Sequence, residues 1–203
     1  MTRAIELLAE ELDLDPSYIA HAYRISRAAF AADHRRRFPH VSMDAYVRIT
    51  SANRFAETCV AATAMRLAGR PNDSAVLLNI QRAMTTAPEP LPGAVGALPE
   101  DAQHPLVRNA VHILRAAGLP PLQMNGIAVT HYGFQVVPAL PELPGCVFVG
   151  PDPDADTRTG FAGGRWGCAR VLQWAGWLIA PQDVENDVIG AIHPDYVPEV
   201  FNR

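Results

Sequence analysis

The sequence predicts an α+β protein, with a helical N-terminal half followed by a small mixed α/β C-terminal half. Three observations carry that expectation. Residues 1–87 show apolar positions at helical spacing, punctuated by capping residues. Residues 88–103 are rich in proline and glycine and lose that periodicity. Residues 104–203 hold short apolar runs such as IAVTHYGFQVV and CVFVG, which read as strands between shorter helical stretches.

In the first helix, Ala4, Leu7, Leu8 and Leu12 fall on one stripe, with Glu6, Glu10 and Glu11 elsewhere. Asp15-Pro16 sets a cap before a proline at the first helical position, opening a second helix that runs to about Asp33. Its expected core residues are Ile19, Ala22, Tyr23 and Phe30. His34 to Phe38 reads as a basic connector closed by Pro39. Ser42 caps a third helix from about Met43 to Ala68, with Tyr46, Ile49, Phe55, Cys59 and Met65 inward and Gly69 as its stop. A fourth helix starts at Asn72-Asp73-Ser74 and ends near Met84.

The stretch from Ala87 to Gln103 has two readings. It is a linker between domains 1–87 and 104–203, or an ordered strap whose Leu91, Val95 and Leu98 are buried. Beyond it the sequence gives a helix from His104 to Ala117, then a strand-like run from Gly126 to Val137 in which Gly133 marks a turn or bulge. Cys146 to Val149 is a further strand and Arg165 to Ala175 a further helix. Leu178-Ile179 reads as a strand, and Asp183 to Ile192 as helix or strand. ILRAAGL (113–119) and VLQWAGW (171–177) look alike. They are a duplicated unit, or two helices ended by the same glycine signal.

Composition narrows the function classes. The chain has 203 residues, 49% of them hydrophobic, enough for a buried core. No run reaches the ~18 apolar residues expected of a membrane helix, and no signal-peptide pattern opens the chain, so a cytoplasmic protein is expected. A net charge of −4 argues against broad nucleic-acid binding. The seventeen basic residues are all arginine. GC-rich coding explains that, as does selection against lysine modification, and either suits a phage- or plasmid-encoded protein. Cys59, Cys146 and Cys168 are odd in number and widely spaced, which predicts neither a disulfide framework nor a metal motif.

Four groups of residues carry candidate chemistry. Arg35, Arg36 and Arg37, beside His34 and His40, form a basic cluster whose guanidinium forks fit phosphate oxygens, or else a solvated helix end. Asp152, Asp154 and Asp156 alternate like the start of a calcium loop. Thr157 and Gly163 then break that pattern, so no metal or cofactor is expected. Gly163 and Gly164, with Arg158 and Arg165, precede a helix and offer an anion cradle. Cys168 sits in the first helical turn, where the dipole favours thiolate, and His131 is the candidate base. The Gly163-Gly164 amides would then line an oxyanion site.

Over the five residues VTHYG, the segment around His131 resembles the histidine strand of the lecithin:retinol acyltransferase type. That resemblance implies a thiol acyltransferase or hydrolase with His131 beside Cys168. The chain departs from it in reading GCAR around the cysteine, and in having Ala139 or Leu140 where a second histidine belongs. Trp166 and Trp177 flank the last long helix and are expected to be partly exposed, as interface residues often are. Weighed together, these residues predict a non-enzymatic adaptor that binds another protein. A thiol enzyme is the alternative, and a DNA-associated accessory role a third reading.

Overall fold

A computed structural model describes residues 2–37, 55–91, 95–126, 128–151, 167–179 and 188–196. The fold is α+β: helices dominate the first half and the strands lie in the second. Four helices come first: α1 (Thr2–Leu12), α2 (Pro16–Arg37), α3 (Phe55–Leu67) and α4 (Pro71–Thr85). Then follow α5 (Pro105–Ala116), β1 (Gln123–Asn125), β2 (Ala128–His131), β3 (Phe134–Pro138) and β4 (Cys146–Pro151). Last come α6 (Cys168–Trp174), β5 (Leu178–Ile179), β6 (Ile189–Ile192) and a 3₁₀ turn, Pro194–Tyr196. The chain forms two compact units, Met1–Gln81 and Arg82–Arg203, with the division inside α4.

In the first unit, α2 packs against α1 and α3. Its start is fixed as the sequence predicts. Asp15 Oδ1 accepts the Ser17 N–H (2.8 Å). Hydrogen bonds from the Ser17 side chain and, second, from its backbone hold the Asp15 carboxyl below its ordinary range. Ile19 and Ala22 are buried with Ala9, Leu12, Met65, Leu77 and Ile80. Tyr23, expected in this core, is 41% exposed: the buried stripe runs through Ile19, Ala22 and Ser26, and Tyr23 falls at its edge, beyond Ile19 on the side away from Ala22. Leu7 is likewise 56% exposed, and the inward face of α1 carries Ala9 and Leu12 instead. The helix α2 continues through Arg37, so the expected basic connector is helical as far as that residue. Arginine is a good helix former, and a cation near the last turn complements the dipole. Phe38 to Arg54, with His40, Tyr46 and Ile49, lies outside the described residues. Arg70 ties the unit together: Nη1 donates to the Leu12 carbonyl at the end of α1 (3.0 Å) and Nε to Asp73 Oδ2 (2.6 Å).

Three helices end alike. At α3, α5 and α6, Gly69, Gly118 and Gly176 take φ values of 74°, 84° and 88°. The residue after each glycine donates back five positions: Arg70 to Met65, Leu119 to Leu114 and Trp177 to Leu172. This is the Schellman arrangement, which needs a left-handed residue and so favours glycine. Because α3, which belongs to the other unit, ends in the same way, helix-ending chemistry is enough to account for the likeness of ILRAAGL to VLQWAGW.

The second unit is a two-layer arrangement. Its four-stranded sheet has the order β3-β4-β6-β5, every neighbour antiparallel. The helices α5 and α6 pack on one face. There Phe134, Val136, Val147, Val149, Ile189 and Ala191 are buried with Val111, Leu114, Leu172 and Trp174. The strand-like run predicted over Gly126–Val137 divides at Tyr132-Gly133, and β1 and β2 form a separate two-stranded sheet. Gly133 is there for space: a Cβ would run into the Pro120 carbonyl oxygen and lie 2.6 Å from Pro121 C.

The described part of the proline-rich stretch has the contacts of a strap. Gly96 N–H donates to the Leu122 carbonyl (2.7 Å), and its own carbonyl accepts from Val136 N–H (2.8 Å). Val95 bridges to Gln123. Leu91, Ala97 and Ala102 are buried, and Arg108 Nη2 donates to the Pro88 carbonyl (2.8 Å). Backbone groups that find partners in this way order a segment that has no periodicity of its own.

Candidate functional site

Cys168 stands where the sequence puts it, first in α6 after the N-cap Gly167. The thiol is 8% exposed, and burial pushes its pKa up to about 12 against a weaker pull from its own backbone N–H. A helix of seven residues has little dipole with which to counter that. His131 closes β2, opposite Gln123 in the two-stranded sheet, and is exposed. Among the described residues no hydrogen bond joins its imidazole to Cys168.

The anion cradle of Arg158, Gly163, Gly164 and Arg165 lies outside the described residues, as do Asp152, Asp154, Asp156 and Trp166. Arg35, Arg36 and Arg37 belong to the last turn of α2, and their side chains are outside the description. Among the described residues, no group of three or more His, Cys, Asp or Glu side chains is placed to hold a metal ion. No described helix is long and apolar enough to cross a membrane.

Trp177 corrects an expectation. It is 2% exposed rather than partly exposed, with its ring edge-on to His193 (centroids 4.9 Å apart, 83° between planes). Strand alternation explains the difference. Leu178 points outward beside Ile192, so the residue before it points inward. His193 is held below its ordinary pKa by burial, with Asp195 pulling the other way. Its Nδ1 accepts the Asp195 N–H (3.3 Å) and lies 3.6 Å from Asp195 Oδ2.

The surface that stands out is the sheet face opposite α5 and α6. Alternation puts Val137, Cys146, Phe148, Ile192 and Leu178 on it. An antiparallel sheet with one face in water normally alternates apolar with polar residues. Here Gln135 is the one polar side chain among the outward positions of the described strands, and none of them is charged. The end where β3 turns into β4 also carries exposed apolar side chains. Leu140 is 68% exposed, Leu143 51%, Tyr196 52% and Leu178 36%. Backbone bonds gather them. Leu143 N–H donates to Leu140, Cys146 N–H to Leu143 and His193 N–H to Gly145. Tyr196 packs over Gly145, where a Cβ would collide with its ring. Glu142 and Asp195 are the charged residues of this end among those described.

Sequence reasoning passed over Leu140, Leu143 and Tyr196, although a signal was there. CVFVG and IGAI are apolar at every position bar glycine, a continuous pattern typical of strands with both faces covered, and the described helices cover one. The chain matches no family model, no curated protein and no solved structure.

Proposed function

We propose that this protein is a non-enzymatic adaptor that binds another protein through the end of its C-terminal sheet where exposed apolar side chains gather. The observation behind this reading is the group Leu140, Leu143, Leu178 and Tyr196, each at least 36% exposed and brought to one end of the sheet by strand register. Apolar side chains collected on a surface cost free energy in water, and such patches often mark interaction sites. The buried, protonated thiol of Cys168 speaks against the thiol-enzyme alternative.

The test is affinity purification of the full chain from the cells that make it, beside the double variant Leu140→Asp/Leu143→Asp. A stoichiometric partner held by the parent and lost by the variant supports the reading. Retention of that partner by a variant with an unchanged thermal melt contradicts it.

A further inference from the structure

The size and charge of this surface narrow its occupant. With strands about 4.8 Å apart and residues about 3.4 Å apart, four strands of two to six residues cover on the order of 300 Å². A standard protein–protein interface takes about 800 Å² from each partner. The strands by themselves therefore suit an occupant smaller than a whole protein face, such as a single peptide segment. Charge opposes a second copy there. An isologous pairing would bring Glu142 and Asp195 of both copies into one small interface, and like charges so placed oppose association. Each chain also carries a net −4.

The same two carboxylates suit a cationic partner. From Pro138 to Val147 and from Gly190 to Tyr196 the charged residues are Glu142 and Asp195, with no arginine among them. His193 beside Asp195 is partly buried and disfavours the proton that would cancel that charge. Two exposed carboxylates beside apolar side chains are complementary to an apolar segment with basic ends, and they disfavour an anionic lipid surface or a nucleic-acid backbone.

We infer that the sheet end formed by Leu140, Leu143, Leu178 and Tyr196 docks a short apolar segment of another protein, flanked by arginine or lysine that meets Glu142 and Asp195. This rests on the adaptor reading and adds the chemistry of the partner. Tyr196 supplies the rigid aromatic contact that such small sites concentrate their affinity in. The leucines set where apolar side chains sit, and the carboxylates set which sequences are accepted.

The experiment is selection of random twelve-residue peptides, displayed on phage, against the immobilised full-length protein. Enriched sequences should combine several large apolar residues with a net positive charge. Leu140→Asp/Leu143→Asp should abolish the enrichment, with circular dichroism confirming that both substitutions leave the fold intact. Glu142→Gln/Asp195→Asn should keep the apolar signature and lose the basic preference. A synthetic peptide from the enriched set should then bind this variant about tenfold more weakly than the parent at low salt, a gap that narrows as salt rises. Enrichment of neutral or acidic apolar peptides overturns the partner chemistry and leaves the adaptor surface standing. No enrichment, or enrichment that survives Leu140→Asp/Leu143→Asp, overturns the inference at this surface. Sedimentation that finds a dimer dissolved by Leu143→Asp overturns it too, and gives the face to a second copy.

Discussion

Alkylation of Cys168 separates the adaptor from the thiol enzyme most sharply. The thiol's pKa is pushed from 9.0 up to about 12. At pH 8 an ordinary thiol of pKa 9.0 is about one-tenth thiolate, and one near 12 about one part in ten thousand, a difference of about a thousandfold. The thiolate is the form that reacts. Iodoacetamide should therefore label Cys168 about a thousandfold more slowly in the folded protein than in denaturant, before any steric protection at 8% exposure. Peptide mass spectrometry over a pH series gives the rate at each cysteine. His131→Ala should leave the Cys168 rate unchanged. The raised pKa also has a stability signature. The folded state prefers the neutral thiol, so its contribution is fully present below the unfolded value near 9.0 and lost as pH rises toward the folded value. The reasoning is refuted by rapid labelling of Cys168 at pH 6, slowed in His131→Ala. That result would bring the thiol enzyme forward.

Three further outcomes follow from the packing. Gly133→Ala should lower stability by about 1–3 kcal/mol in urea unfolding, because its methyl meets the backbone of Pro120 and Pro121, which cannot swing aside. Limited proteolysis should spare the strap from Val95 to Gln103, since Gly96 is bonded on both sides; early cleavage there would return the stretch to a linker. His193 has a folded pKa below its ordinary 6.5, so its share of stability is present above about pH 6.5 and lost as pH falls through the folded value. A thermal-melt series in His193→Gln should lack that decline, and an unchanged pH profile would contradict the assignment.

Much of the fold was legible because local chemistry decides it. Asp15-Pro16 caps α2, and the Ala-Gly pairs at 68–69, 117–118 and 175–176 end three helices. What the sequence hid depends on tertiary partners. Tyr23 and Leu7 sit at helical spacing, yet spacing fixes only which residues share a face, and the neighbouring helices decide which face is buried. The strap has no period to read, because its order comes from Leu122 and Val136, residues far along the chain. Trp177 looked exposed beside a helix end, and the pleat of β5 turned it inward. At the candidate site, Cys168 at a helix start was legible, whereas the burial that keeps its thiol protonated was not. The apolar outward positions of β4 and β6 were present in the sequence. They became a surface only when register brought Leu140, Leu143, Leu178 and Tyr196 to one end.

Photo-crosslinking in the producing cells puts the binding surface to the most direct test. A p-benzoylphenylalanine at position 143 reports what touches this end of the sheet, and one at Leu78, 45% exposed on α4, serves as the comparison. The account predicts a discrete adduct with a second protein from position 143, absent from position 78 and lost when Leu140→Asp and Tyr196→Ala are added. No adduct from position 143, with a discrete one from position 78, would contradict it and move the binding surface to the helical half.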